Sequence, residues 1–170
     1  MKKSIKKLRL LLFSECDRSC RGCCNKDWDL TALPECTDYT GYDEIILTGG
    51  EPLLRPDLVR RTIHEILAQT EAPIYLYTAK VNGPAIFERI LALLDGVTLT
   101  LHSRKDVKEF KILNNYLLQT QLPGKSLRLN VFAGISLTGI DLSLWTVKKN
   151  IKWIKDCPLP VEEVFMRLKQ

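Results

Sequence analysis

The chain has 170 residues, 45% of them hydrophobic and 26% charged, the make-up of one globular domain over 1–170; a disordered tail and a second large domain are both excluded. No apolar run approaches the roughly 18–20 residues of a bilayer span, so no membrane partner is expected. The net charge of +5 arises from 25 Lys and Arg against 20 Asp and Glu, and five of the positives crowd into residues 1–9, a local cluster that is weak evidence about partners, so nucleic acid is not expected as one.

In chain order, that basic cluster and the apolar stretch 10–13 imitate a secretion signal. The apolar core is shorter than the usual ~7–15 residues and Glu15 stands where a cleavage site needs a small residue, so a cytoplasmic protein is expected. A strand is expected over 9–14, and a loop over 27–42, where Pro34, Thr37, Thr40 and Gly41 accumulate. The continuous apolar strand 44–48 suits a parallel sheet covered on both faces. Pro56 opens a helix with Leu58, Val59, Ile63, Ile66 and Leu67 at helical spacing, and Ala72 and Pro73 end it. His64, in the middle of that helix, reads as a surface residue.

Further along come a strand over 74–78, a helix from Pro84 closed by Gly96, a strand over 97–102 and a helix over 105–120. Pro123 and Gly124 turn the chain into a strand over 127–133. A helix over 142–155, carrying Trp145, Ile151 and Ile154, and a last strand over 161–168 complete six strands. Such alternation gives an α/β fold, either an open doubly wound sheet or a partial (βα)6 TIM-type barrel with parallel strands. Both gather functional groups at the carboxyl ends of the strands.

The chemistry concentrates at two such ends. After the first strand stand Cys16, Cys20 and Cys23, spaced by three and two residues, with Cys24 and Asn25 following. Three sulfurs on one short loop are a chelate, and Arg18 and Arg21 are expected to favour thiolates. The spacing fits an iron–sulfur cluster. It fits equally a structural zinc site with Cys24 or Cys36 as fourth ligand, which would make the chain a zinc-binding interaction module on a degenerate barrel. Cys36 and Cys157 are otherwise simplest as unligated thiols. After the second strand comes Gly49-Gly50-Glu51-Pro52, a glycine pair that would let a small ligand approach the backbone. Trp28, Trp145 and Trp153 read as packing or interface residues.

Taken together, the C-x-x-x-C-x-x-C run and Gly-Gly-Glu-Pro resemble the radical S-adenosylmethionine (radical SAM) superfamily, over nearly the whole chain, and the resemblance selects the partial (βα)6 barrel. It implies that Cys16, Cys20 and Cys23 hold three irons of a [4Fe-4S] cluster and that S-adenosylmethionine (SAM) chelates the fourth. It further implies that Gly49, Gly50, Glu51 and Pro52 meet the methionine end of SAM, and that Thr78, His102 and Ser103 also contact it, while Asn130, Met166 and Arg167 line the cavity. The implied activity is reductive cleavage of SAM to a 5′-deoxyadenosyl radical, which abstracts hydrogen from a small-molecule or protein substrate. The electron would come from a donor such as flavodoxin or ferredoxin.

Two departures stand out. The family often has an aromatic residue just before the third cysteine, near the adenine; here it is Gly22, so stacking must come from elsewhere. The 21–28 stretch is similar to the Gly-Cys-Tyr-Asn run of the small activases that install glycyl radicals, but the gap from Cys23 to Gly49 is shorter than theirs and Ala133-Gly134-Ile135-Ser136 matches the family's fifth-strand signature only loosely. A minimal barrel of this kind leaves one side to be closed by loops, by a second copy in a homodimer or by a macromolecular substrate.

Overall fold

Short strands, rich in Ile, Leu and Val and buried without interruption at the centres of the two over 44–48 and 96–101, build one sheet in which every pairing is parallel. The computed structural model describes residues 5–81, 83–120 and 122–169; Lys2 and Lys3 of the basic cluster lie outside the described residues. The strands are β1 (Lys7–Leu11), β2 (Glu35–Cys36), β3 (Glu44–Thr48), β4 (Ile74–Thr78), β5 (Gly96–Leu101), β6 (Ser126–Phe132), β7 (Thr146–Ile151) and β8 (Glu163–Leu168), in the order β2-β8-β1-β3-β4-β5-β6-β7. The helices are α1 (Pro56–Leu67), α2 (Pro84–Leu91) and α3 (Arg104–Thr120). Among the described residues no helix is long and apolar enough to cross a membrane.

The core is what the periodicity dictates. Leu8, Leu10, Ile45, Leu47, Ile74, Leu76 and Leu99 from the strands meet Val59, Ile63 and Ile66 of α1, Phe87 and Ile90 of α2, and Phe110, Leu113 and Leu117 of α3. A smaller cluster of Leu11, Leu33 and Phe165, covered by Trp28, Leu30 and Leu159, seals part of the sheet beside β1 and β8. The register brings the ends of β1, β3, β4 and β5 to one level, since Leu11 lies opposite Thr48, Leu47 opposite Leu76, and Thr78 opposite Leu99.

Three expectations are corrected. The segment expected as a helix over 142–155 holds the edge strand β7 instead. Trp145 is buried not on a helix face but against Phe110, with its Nε1–H donating to Asn114 Oδ1 at 2.9 Å, while Asn114 Nδ2 donates to the Asp141 carbonyl at 2.7 Å. That bonding holds the incoming loop in a non-helical path, and Lys148, Lys149 and Asn150 then lie exposed on an edge strand, where charge is tolerated and discourages further pairing. Second, the region 27–42 contains the two-residue strand β2, so eight strands replace six. Third, Gly96 does not close α2, which ends at Leu91; it opens β5, where a Cβ would come within 2.3 Å of the Ser126 carbonyl oxygen. The last strand, β8, lies on the far side of the sheet and pairs with β1.

Candidate functional site

The chain leaves β1 into the cysteine loop, and the loop continues the parallel ladder beyond the regular strands. Leu12 N–H donates to the Thr48 carbonyl (2.9 Å), Gly50 N–H to the Phe13 carbonyl (2.8 Å) and Glu51 N–H to the Glu15 carbonyl (2.9 Å). Asn25, just past the last cysteine of the loop, returns its amide Nδ2 to the Gly49 carbonyl at 2.8 Å. The cysteine loop and the Gly-Gly-Glu segment are therefore one hydrogen-bonded unit.

The glycine pair is required by this packing as well. A Cβ on Gly50 would lie 2.0 Å from the Glu15 carbonyl oxygen and 2.4 Å from that of Ser14, and one on Gly49 would lie 3.0 Å from the Phe13 carbonyl oxygen. The Cβ side of Gly50 is filled by the backbone of the cysteine loop. Glu51 is likewise engaged within the protein: only 2% exposed, it accepts Thr78 Oγ1–H at 2.5 Å and Leu53 N–H at 3.1 Å on one oxygen, and Ala79 N–H at 2.9 Å on the other. Pro52 follows it as the first residue of a short 3-10 turn. Glu51 and Thr78 thus lock the end of β3 to the end of β4.

A third brace reaches β5. Arg18, between Cys16 and Cys20, donates to Asp106 Oδ1 at 2.9 Å and to the Ala79 carbonyl at 2.5 Å. Asp106 is buried in the first turn of α3, where its other oxygen accepts the backbone N–H of His102 and of Ser103, each at 2.8 Å. Ser103 Oγ accepts from Asp106 N–H at 3.4 Å, so Ser103 and Asp106 form the reciprocal cap of α3. Burial alone would push the Asp106 carboxyl up, but the His102 N–H and the Arg18 charge outweigh it and hold the group below its ordinary value. Burial pulls Arg18 down, and Asp106 overcomes this and holds the guanidinium above its ordinary value. Lys80 pairs with Asp17 beside it.

Arg18 favours the thiolates as expected, through its N–H at Cys16 and its charge at Cys20, although other groups outweigh it. Arg18 is committed to Asp106, and Arg21 is exposed. Burial, mutual repulsion with Cys23 and the nearby carboxylates push the Cys16 and Cys20 thiols above their ordinary value, against the Arg18 N–H at Cys16 and the Arg18 charge at Cys20.

Cys16, Cys20 and Cys23 line one cavity of ≈ 160 Å³ together with Gly50, Glu51, Thr78 and His102. A second cavity of ≈ 350 Å³ shares Arg18, Cys20 and His102 with it and extends to Ser103, Lys105 and Glu109. His102 packs its ring against Phe132 (4.6 Å between centroids) and Trp153 (5.2 Å, planes within 10°), which also touch each other (4.5 Å), and burial followed by the Arg18 charge lowers its pKa, which favours the neutral imidazole. Trp153, expected as packing, is the residue that sequence reasoning missed: its ring also walls the thiol cavity and lies against Gly22, where a Cβ would come within 2.4 Å of the indole. Asp106 was missed as well, although Ser103-x-x-Asp106 ahead of an apolar run is a readable capping signal.

Other candidates lie elsewhere. Met166 accepts the Tyr42 hydroxyl, Arg167 pairs with Glu35 and donates to the Leu33 carbonyl, and Asn130 sits within β6; none of the three lines the thiol cavity. Cys36 is buried in the core on the edge strand β2. Cys157, expected as a free thiol, is corrected: it forms a disulfide with Cys24, across 133 residues. Cys16, Cys20 and Cys23 stay unpaired. No three His, Cys, Asp or Glu side chains among the described residues converge on a single ion.

The chain is similar to GTP 3′,8-cyclase of Aquifex aeolicus, 30% identical over 132 residues that cover 67% of this chain and 40% of that protein. It therefore spans less than half the length of that relative. No protein-family model matches the chain, and no solved structure matches it.

Proposed function

We propose that this protein is a radical SAM enzyme whose core is a partial (βα)6 barrel. The observation that carries the reading is that the three unpaired cysteines of one loop face a single cavity at the strand ends, against the Gly-Gly-Glu segment. The similarity to GTP 3′,8-cyclase, itself a member of that superfamily, supports the class and with it an enzymatic role. Curvature of the sheet belongs to the reading too. Trp153 follows β7 yet meets Gly22 on the loop after β1, whereas on a flat sheet the five intervening spacings would part those strands by roughly 24 Å.

The donor set fits a [4Fe-4S] cluster on Cys16, Cys20 and Cys23. Such a cluster takes each thiolate on a different iron, so the sulfurs need to surround a volume and not to meet at one point. A four-thiolate zinc site is less well served, because Cys24 is bonded to Cys157 and Cys36 lies in the core. When bound, the cluster supplies the electron that cleaves SAM. The chain's own share is positional: Arg18 and Asp106 fix the loop, Glu51 and Thr78 fix the two strand ends, and Trp153 offers the planar apolar face that Gly22 cannot, for the adenine. The adjoining polar cavity, with Lys105 and Glu109, gives room for a substrate, small molecule or protein segment. A flavodoxin or ferredoxin would serve as electron donor in the cytoplasm, and a homodimer is one way to cover the site.

The test is anaerobic reconstitution with iron and sulfide. Wild-type protein should turn brown and absorb near ~400 nm by thiolate and sulfide charge transfer. Cys16→Ala, Cys20→Ala and Cys23→Ala should each lose most of the bound iron, while Cys36→Ala should keep it. A full complement of iron in Cys20→Ala would remove the three-cysteine assignment.

A further inference from the structure

The cysteine adjoining the third thiol of the loop is bonded to a segment that has no regular structure of its own. Residues 152–156, between β7 and Cys157, are exposed, and Asp156 and Cys157 hold φ of 60° and 31°, in the left-handed region that non-glycine residues adopt at a cost. Such a conformation persists only where its surroundings hold it. Besides the disulfide, Cys157 is held by the Trp28 Nε1–H, which donates to its carbonyl at 3.3 Å. Four residues before Cys157 on this segment stands Trp153, lying on Gly22 and His102 and forming one wall of the cavity of Cys16, Cys20 and Cys23. The bond thus closes a short ring of contacts: Cys24 is fixed by the loop, Cys157 by Cys24, and Trp153 by both.

We propose that Cys24–Cys157 is a redox-sensitive clasp on the thiol cavity. Closed, it holds the Trp153 segment in place as a wall of the cavity; opened by a dithiol, it releases the segment and exposes the half-buried thiols of Cys20 and Cys23, Cys16 being exposed already. Opening is an ordinary exchange. A thiolate of the dithiol attacks one sulfur of the pair, a mixed disulfide forms, and the second thiol of the reductant displaces it; Cys24 and Cys157 gain two electrons and two protons, and the reductant leaves as its own disulfide. The strained φ values at positions 156 and 157 favour departure of the segment once the bond is gone. A reducing compartment would therefore set the site open and an oxidising one closed. The clasp itself stands on the pairing and the position of Trp153; only its bearing on a bound cofactor rests on the function proposed above.

The experiment uses the full chain without added iron, so failure of cluster binding leaves its outcome untouched. Protein purified without reductant, alkylated and digested should yield the cross-linked Cys24–Cys157 peptide. In native protein, Cys24→Ser and Cys157→Ser should each raise the alkylation rate of the half-buried Cys20 and Cys23 by at least about fivefold, as expected when local opening becomes easy, with the exposed Cys16 as the internal reference. Both should also increase acrylamide quenching of tryptophan fluorescence, an increase lost when Trp153→Phe is added. If either variant fails to fold by circular dichroism, wild-type protein reduced with dithiothreitol and desalted before alkylation supplies the same comparison. Absence of the cross-linked peptide, or unchanged alkylation rates in the open form, overturns the clasp.

Discussion

Gly50→Val is expected to lose roughly 3 kcal/mol or more of stability and, with it, the capacity to hold iron. The cause is not loss of ligand space. The new Cβ would sit 2.0 Å from the Glu15 carbonyl oxygen, and backbone cannot swing aside as a side-chain tip can. Relief requires the cysteine loop to lift away, which breaks the Gly50 N–H bond to Phe13 and the Glu51 N–H bond to Glu15 that seat Cys16 at the strand ends. Gly50→Ala should show nearly the same loss, because the conflict begins at Cβ. Gly41→Ala is the control: its glycine has φ of 77° with nothing within 4 Å of a built Cβ, so its cost should stay near ~1 kcal/mol of backbone strain. Urea unfolding of the three variants decides it. A Gly50→Ala protein as stable as wild type would mean that the loop does not pack on β3 as described.

Asp106→Ala should be nearly as costly, about 3–5 kcal/mol. Removing the carboxylate leaves the Arg18 guanidinium, four-fifths buried, without its counter-charge and leaves the N–H groups of His102 and Ser103 without an acceptor. Asp106→Asn should lose less, since it keeps an oxygen for the cap. A double-mutant cycle with Arg18→Ala should return a coupling of roughly 1–3 kcal/mol, and additive losses would show that the pair does not interact. The pH dependence has a defined sign. A carboxyl held below its ordinary value contributes stability that is fully present above about pH 4 and disappears as pH falls through its folded value, so the Asp106→Ala deficit should shrink on acidification and not on raising pH.

Both effects fall on residues that the sequence makes visible to different degrees. The strands over 44–48 and 74–78 and all three helices were legible because their apolar residues recur at a clear period between Pro and Gly signals. The three cysteines and the glycine pair were legible because their spacing is short-range. What failed was long-range. Trp145, Ile151 and Ile154 match a helical face, and only the bonds of Trp145 and Asp141 to Asn114 on α3 show why that stretch enters an edge strand. Strand order carries no sequence mark that would send β8 to β1 and not to β7. The partner of Cys24 lies 133 residues away, and a cysteine beside a chelating run gives no sign of pairing elsewhere. Trp153 is followed by exposed residues and acquires its role only because Gly22, far off in sequence, leaves a hollow for the indole. Gly50 shows the subtler case: the residue was legible as special, but the neighbour that demands a glycine is the chain's own loop.

In the function proposed above, the three thiols and the strand ends around them make a site for reductive cleavage of SAM. The most direct measurement is chromatographic detection of 5′-deoxyadenosine after the reconstituted protein is incubated with dithionite and SAM, beside a Cys16→Ala control. The account predicts 5′-deoxyadenosine from wild type and none above background from the control, even without the natural substrate. No product from wild type with its cluster reduced and SAM bound would contradict it and leave the cavity a binding site only.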